Sequence, residues 1–248
     1  MKLKSTKIIG ILNVTPDSFS DGGRFEREDL GEVSREMLED GAALLDLGGE
    51  SSGPGSVDVS LEEELRRVRP AFGILREFSI DTWKSEVARE ACEAGAVMIN
   101  DVTAGRSDER IFDVAAEFDV PIVLMYSKNS SARTDREPVA YVDVMRMVKD
   151  FLRGRIELAR SRGVQRIIVD PGMGAFVSGD PRWSWEILDR IGELDELGCP
   201  VLVGTSRKSF LGEDRFGMTL ATVCDLRGKV DYLRVHDVLA CVTCSAVV

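Results

Sequence analysis

The chain has 248 residues, 44% of them hydrophobic and 30% charged, with a formal net charge of -11. That length suits one large domain or two small ones, and the acidic balance argues against nucleic acid as a partner, because phosphate binding needs clustered Lys and Arg. No apolar stretch approaches the ~18 residues of a membrane span, and Ile8-Ile9-Gly10-Ile11-Leu12 is too short for a signal-peptide core; a cytoplasmic protein with no membrane partner is expected.

The first predicted strand, Lys7–Leu12, ends in Asn13, and the polar loop that follows, through Gly22-Gly23, is too long for a simple turn. Loops of this kind carry function more often than stability. A helical pattern over Asp29–Gly41 has acids in its first turn, and a second apolar run, Ala43–Leu47, leads into Gly48-Gly49-Glu50. The next helix, Ser60–Leu75, opens with Ser60 and Glu63 at capping-box spacing. Phe78–Ile80 runs into Asp81-Thr82, followed by a helix over Lys84–Ala94; Ala96–Ile99 runs into Asn100-Asp101, followed by a helix over Ser107–Phe118. Pro121–Met125 meets Tyr126-Ser127 before a helix over Tyr141–Arg162, and Arg166–Val169 meets Asp170-Pro171-Gly172 before a helix over Pro181–Leu197. Gly95, Gly163 and Gly198 stand where those helices should stop. The last two runs are Pro200–Val203, before Gly204-Thr205-Ser206-Arg207-Lys208, and Val230–Leu233, before Arg234-Val235-His236-Asp237.

The runs are short, rich in Ile and Val, and apolar throughout rather than alternating, which suits parallel strands buried on both faces. Eight of them in 248 residues give about 31 residues per unit, the size of a βα repeat, and eight such repeats make a TIM (β/α)8 barrel. No linker or low-complexity stretch interrupts the rhythm, so a single domain over 1–248 is expected. A doubly wound open sheet is the main competitor, but its GxGxxG fingerprint after the first strand is absent.

In such a barrel all strand C-termini open on one face, where the active site lies. Asn13, Glu50, Asp81, Asn100, Asp170, Lys208, Arg234 and His236 should therefore converge. Carboxylates and amides in a pocket suit a flat heterocycle with several donors and acceptors, and Asp170, held in Asp-Pro-Gly, is the best candidate to accept two N–H bonds from an amidine-like edge. Arg234 and His236 are two apart, so on an extended strand both face the same way as an anion clamp. With one histidine, a two-histidine metal site is unavailable, and any metal is expected to be a hard ion held by oxygen, such as Mg2+. No GxSxG elbow supports a serine hydrolase. The five cysteines are mostly scattered and fit a reducing compartment. Cys241-Val242-Thr243-Cys244 is formally a CxxC but reads more simply as two small apolar residues on one helix face.

With these residues placed, the chain resembles the dihydropteroate synthase family along nearly its whole length. The resemblance rests on Asn13-Val14-Thr15-Pro16-Asp17-Ser18-Phe19, Asp46-Leu47-Gly48-Gly49-Glu50-Ser51, Ser79-Ile80-Asp81-Thr82 and Ile99-Asn100-Asp101-Val102. It continues through Val169-Asp170-Pro171-Gly172, Gly204-Thr205-Ser206-Arg207-Lys208 and Arg234-Val235-His236-Asp237-Val238. It implies an enzyme that joins 6-hydroxymethyl-7,8-dihydropterin pyrophosphate to p-aminobenzoate and acts as a homodimer. By the same resemblance Asp81, Asn100, Asp170 and Lys208 hold the pterin, Asn13 binds Mg2+, Asn13, Arg234 and His236 hold the pyrophosphate, and Ser206 lies on the aminobenzoate side. Asn13, Lys208, Arg234 and His236 are the residues nearest the chemistry. Departures from the family pattern fall elsewhere. Ser51-Ser52-Gly53-Pro54-Gly55 lacks the usual arginine, Met173-Gly174-Ala175-Phe176-Val177 lacks the usual lysine and displaces the phenylalanine by one, and Tyr126 replaces a usual histidine. Two alternatives stay open: a divergent pterin-binding paralogue with a different second substrate or no synthase activity, and a methyltetrahydrofolate-binding domain of a corrinoid methyltransferase.

Overall fold

A computed structural model describes residues 3–14 and 27–244. The described residues form one all-parallel sheet of eight strands: β1 (Lys7–Asn13), β2 (Leu44–Gly48), β3 (Phe78–Asp81), β4 (Ala96–Asp101), β5 (Ile122–Met125), β6 (Ile167–Asp170), β7 (Leu202–Val203) and β8 (Tyr232–Val235). Their order is β6-β5-β4-β3-β2-β1-β8-β7, and a parallel bridge from Val169 to Val201 closes β6 onto the segment leading into β7. The expected barrel is therefore present, with each strand within two residues of its predicted start. The loop after Asn13 lies, from Thr15 to Glu26, outside the described residues.

Helices α1 (Arg27–Glu39), α2 (Leu61–Phe72), α3 (Ser85–Glu93), α4 (Arg110–Glu117), α5 (Val144–Ser161), α6 (Arg182–Asp189), α7 (Arg215–Leu226) and α8 (Val238–Cys244) separate and follow the strands. Ser60 caps α2 as its spacing predicted, accepting the Glu63 N–H, but the Glu63 carboxylate binds Arg66 and Arg67 rather than closing the box. The predicted helix over 181–197 breaks at Arg190, whose side chain holds Asp143, Glu186 and Glu193, and continues as 3-10 turns to Gly198. Helix α7 was not visible in the sequence pattern. Its Thr219, Thr222 and Val223 are β-branched and it carries Gly217, all weak helix formers. Burial of those three and Leu226, and a cap from Asp214 to the Gly217 N–H, hold it in place.

Two apolar layers result. The larger one lies between strands and helices and includes Leu45, Leu47, Phe78, Ile80, Ile99, Phe112 and Val148, all fully buried. The smaller one fills the barrel interior near the strand N-termini with Ile9, Met98, Val123, Ile168 and Leu202. Side chains two residues further along the same strands also point inward, and that step carries the interior from apolar to polar: Met98 gives way to Asn100, and Ile168 to Asp170. The site sits on top of the packed interior.

Candidate active site

One cavity at the barrel mouth is lined by Asp81, Asn100, Asp170, Lys208, Arg234 and His236, together with Ile11, Ser52, Met125, Phe176 and Ser206. Six residues predicted from strand ends thus meet around one space. Register explains the convergence. Asn13 pairs with Gly48, Gly48 with Asp81, and Asp81 with Asn100, so these four positions lie side by side on neighbouring strands at one edge of the mouth. Gly48 belongs in that row: a Cβ there would lie 3.0 Å from the Asn13 Oδ1, so the glycine leaves the amide its room.

Arg234 is braced. Its Nε donates to Asp46 Oδ2 at 2.5 Å and its Nη2 to Asp81 Oδ2 at 2.5 Å. Asn100 Nδ2 donates to the same Asp46 oxygen at 2.8 Å, and Asp46 Oδ1 is buried with no partner among the described residues. Asp46 is a site residue that strand-end reasoning missed. It lies mid-strand, and the available signal was an acid inside the apolar run Leu44-Leu45-Asp46-Leu47. Burial opposes the charge on Arg234, but Asp46 and Asp81 outweigh it, so the guanidinium is held more firmly protonated. Burial pushes the Asp81 carboxyl up despite Arg234, with Asp46 adding to the effect.

Asp170 is buried at the end of β6, and its Oδ1 accepts the Gly172 N–H at 2.7 Å. Gly172 has φ +68 and a Cβ would collide with the Tyr126 carbonyl, so this tight turn requires glycine. Burial raises the Asp170 carboxyl above the usual range, while Lys208 opposes the rise. Lys208 is pushed down to about 8 by burial, with Asp170 opposing and Arg234 reinforcing. Arg207, just before it, has φ +59, a left-handed conformation unusual for a side chain of this size. An ion pair with Asp237 at 2.5 Å and a bond from its N–H to Thr219 Oγ1 hold it there, which turns Lys208 toward the cavity. Such strain concentrates at functional sites.

His236 and Ser206 form a pair: Ser206 Oγ lies 2.9 Å from His236 Nδ1 and accepts the His236 backbone N–H at 3.2 Å. The structure thus uses the Ser206 hydroxyl on the histidine. Burial, with Arg234 and Arg207, pushes the imidazole down to about 4, so the ring is neutral at pH 7.

Two of the eight strand-end residues expected at the mouth, Asn13 and Glu50, are not among those lining the cavity. The buried Glu50 carboxylate accepts the Val59 N–H at 3.1 Å and pairs with Lys84 and Arg133. Arg133 in turn holds the Val57 carbonyl and Asp58 and stacks over Trp83, so it latches the loop after β2 to the loop after β5. Tyr126 sits inside the fold, its hydroxyl 3.1 Å from that of Tyr141 and its ring edge-on to Phe151. The displaced phenylalanine, by contrast, still reaches the cavity: Phe176 lies under the Lys208 ammonium.

A second cavity of about 220 Å³ is lined by the neighbouring residues of the same two segments, Gly174 and Ala175 on one and Ser209 and Phe210 on the other, with Ser178, Arg136 and Arg215. Neither guanidinium has an acidic partner among the described residues. The loop after β5 braces this side through bonds from Thr134 Oγ1 to Ala175 O at 2.7 Å and from the Lys128 N–H to Phe176 O at 2.8 Å. Cys241 and Cys244 both lie on α8, with the Cys244 Sγ 2.9 Å from Cys224 Sγ on α7.

Known proteins share this architecture and sequence. The profile of the pterin binding enzyme family matches residues 9–236. A Synechocystis dihydropteroate synthase is 40% identical, the match covering 96% of this chain and 87% of that protein. One from Bacillus subtilis is 40% identical, with 95% and 85% covered. The crystal structure of Xanthomonas albilineans dihydropteroate synthase with 4-aminobenzoic acid superposes with a TM-score of 0.88 at 39% identity, covering 100% of this chain and 93% of that one. The same protein in complex with 7,8-dihydropteroate gives a TM-score of 0.84 at 38% identity, covering 100% and 94%.

Proposed function

The chain belongs to the pterin binding enzyme family, and on that premise we propose that the barrel mouth joins 6-hydroxymethyl-7,8-dihydropterin pyrophosphate to p-aminobenzoate. The activity is that of a dihydropteroate synthase, a transferase of folate biosynthesis. The observation that carries this reading is the ring of inward polar side chains: a buried carboxylate, an amide and an ammonium group on one side, and a braced guanidinium and imidazole on the other.

Asp170 and Asn100 match the donor-rich edge of the pterin, with Asp81 and Lys208 closing the ring around it. Arg234 and His236 face the diphosphate. The methylene C–O bond breaks and leaves positive charge on the pterin methylene, and Arg234 stabilises the departing anion. The aminobenzoate nitrogen then forms the new C–N bond and gives up a proton, so the amine needs positioning more than activation. The second cavity, with Arg136 and Arg215, supports a carboxylate at the far end of the arylamine, where it supplies cations that the loop after β2 lacks.

The residues fit Mg2+ as an ion that arrives with the substrate. Asn13 offers a half-buried amide oxygen beside Gly48, and among the described residues no cluster of three or more His, Cys, Asp or Glu forms a resident cage. Mg2+ is commonly held by a few protein oxygens plus substrate phosphates and water, and when bound it would neutralise the leaving diphosphate. The proposal includes a homodimer, for which Phe216 on α7 and Leu239 on α8, 52% and 57% exposed, are apolar side chains a second copy would cover. It also includes a cytoplasmic setting, which suits the reducing compartment expected from the scattered cysteines; no described helix is long and apolar enough to cross a membrane.

Incubation with the pterin pyrophosphate, Mg2+ and p-aminobenzoate should release pyrophosphate in step with dihydropteroate. Release with a different amine but none with p-aminobenzoate would overturn the assignment of the second substrate.

A further inference from the structure

We infer that Ser206 locks His236 into the tautomer that carries its proton on Nε2, so that the ring presents a neutral N–H donor to the diphosphate. Ser206 is buried, 5% exposed, in the loop after β7, and its Oγ touches His236 twice. The backbone N–H of His236 can only donate, so Oγ accepts there at 3.2 Å. The remaining contact, 2.9 Å to Nδ1, must take the single hydroxyl proton, because no other acceptor for it is found among the described residues. If Nδ1–H donated instead, Oγ would accept twice and the hydroxyl proton of this 5% exposed residue would have no acceptor among the described residues, an arrangement buried hydroxyls avoid. Nδ1 is therefore the acceptor, and the proton resides on Nε2.

Nε2 has no partner among the described residues, and the ring lines the cavity beside Lys208 and Arg234. The imidazole is neutral because burial and two arginines disfavour its cation, so the tautomer decides what it offers: a donor with the proton on Nε2, a repelling lone pair with it on Nδ1. The pairing is the reverse of a serine nucleophile, whose hydroxyl meets Nε2 while an acid holds Nδ1–H. Ser206 is thus a positioning residue acting through His236. The tautomer follows from the protein alone; the donor role rests on the proposed diphosphate site.

The chain has one histidine, so protein labelled with 15N-histidine gives the imidazole signals of His236 alone. At pH 7 the multiple-bond 15N–1H pattern should be that of the Nε2–H form. In Ser206→Ala it should become a mixture or shift to Nδ1–H, and in Ser206→Thr, which keeps the hydroxyl, it should return. A wild-type spectrum showing Nδ1–H, or an unchanged pattern in Ser206→Ala, would overturn the inference, and wild type with Ser206→Thr suffices if the alanine variant does not fold. Titration with sodium pyrophosphate reads the donor role: Ser206→Ala should weaken binding by about tenfold, one charge-assisted bond, and Ser206→Thr should recover it. Equal affinities with a changed tautomer would overturn that role. Failure of the synthase reading would appear as absent turnover with p-aminobenzoate and would leave the imidazole spectrum as expected.

Discussion

The two halves of the barrel mouth are built differently. The side proposed for the pterin and its diphosphate is carried by strands: Asp81, Asn100, Asp170 and Arg234 lie within or at the ends of β3, β4, β6 and β8, and their positions are set by backbone register. The arylamine side is carried by loops, held by contacts between loops such as Arg133 with Glu50, and Thr134 with Ala175. Strand-borne groups are positioned before any ligand arrives, whereas loop-borne groups depend on a few ion pairs and hydrogen bonds. Two departures from the family pattern follow the same divide: the strand-end residues proposed for the pterin are present, and the missing arginine and lysine fall in loops.

Breaking the brace on each side gives the largest contrast. Arg234→Ala leaves Asp46 and Asp81 buried without their cation and should cost about 3–5 kcal/mol of stability, read by chemical denaturation. Arg133→Ala leaves Glu50 still paired with Lys84, and its loss should be about 1–2 kcal/mol. Equal losses would mean that the loop side is as rigidly built as the strand side. Next in size, Asp170→Asn replaces an acceptor with a donor facing the proposed position of the pterin N–H edge, which should cost about 1–3 kcal/mol. Calorimetry should show pterin affinity falling at least about tenfold, with little change for p-aminobenzoate.

On the arylamine side the effects should be smaller and selective. Arg136 and Arg215 are exposed, so screening limits each to about a two- to fivefold rise in KM for p-aminobenzoate on substitution by Ala. The KM for the pterin ester should stay constant; a matching rise in both would remove the second cavity from the proposal. The smallest effect is a pH dependence. With Lys208 near 8, kcat/KM for the pterin ester should fall as pH rises through 8, the ammonium being the form that faces Asp170. The sign for stability is opposite. An unfolded lysine holds its proton up to about 10.4, so between 8 and that value the unfolded chain binds more protons, and this group's contribution to stability rises with pH. Activity lost without loss of stability in that window, and absence of the limb in Lys208→Met, checks the assignment.

Much of the site was legible because strand ends in a parallel barrel share one face, and an apolar run stopping at Asp, Asn or Arg marks such an end. Asp81, Asn100, Asp170, Lys208, Arg234 and His236 were found in this way. Glu50 satisfied the same rule, yet it left the cavity for Lys84 and Arg133, partners 34 and 83 residues away in sequence. Asp46 escaped because it lies inside its run, and its importance comes from contacts with Asn100 and Arg234 on other strands. Helix α7 escaped because burial, not propensity, stabilises it.

By itself, then, the sequence determined the repeat of short buried strands and helices, the barrel they close, and the chemical types gathered at its mouth. These depend on hydrophobic periodicity and local turn chemistry, which act over a few residues. Only the tertiary structure decided which carboxylate braces Arg234, which loop latches which, and that the Ser206 hydroxyl serves the histidine. Those pairings form across the barrel, where burial makes an unpaired charge or hydroxyl costly, and the partner chosen depends on the register and height that closing the sheet imposes.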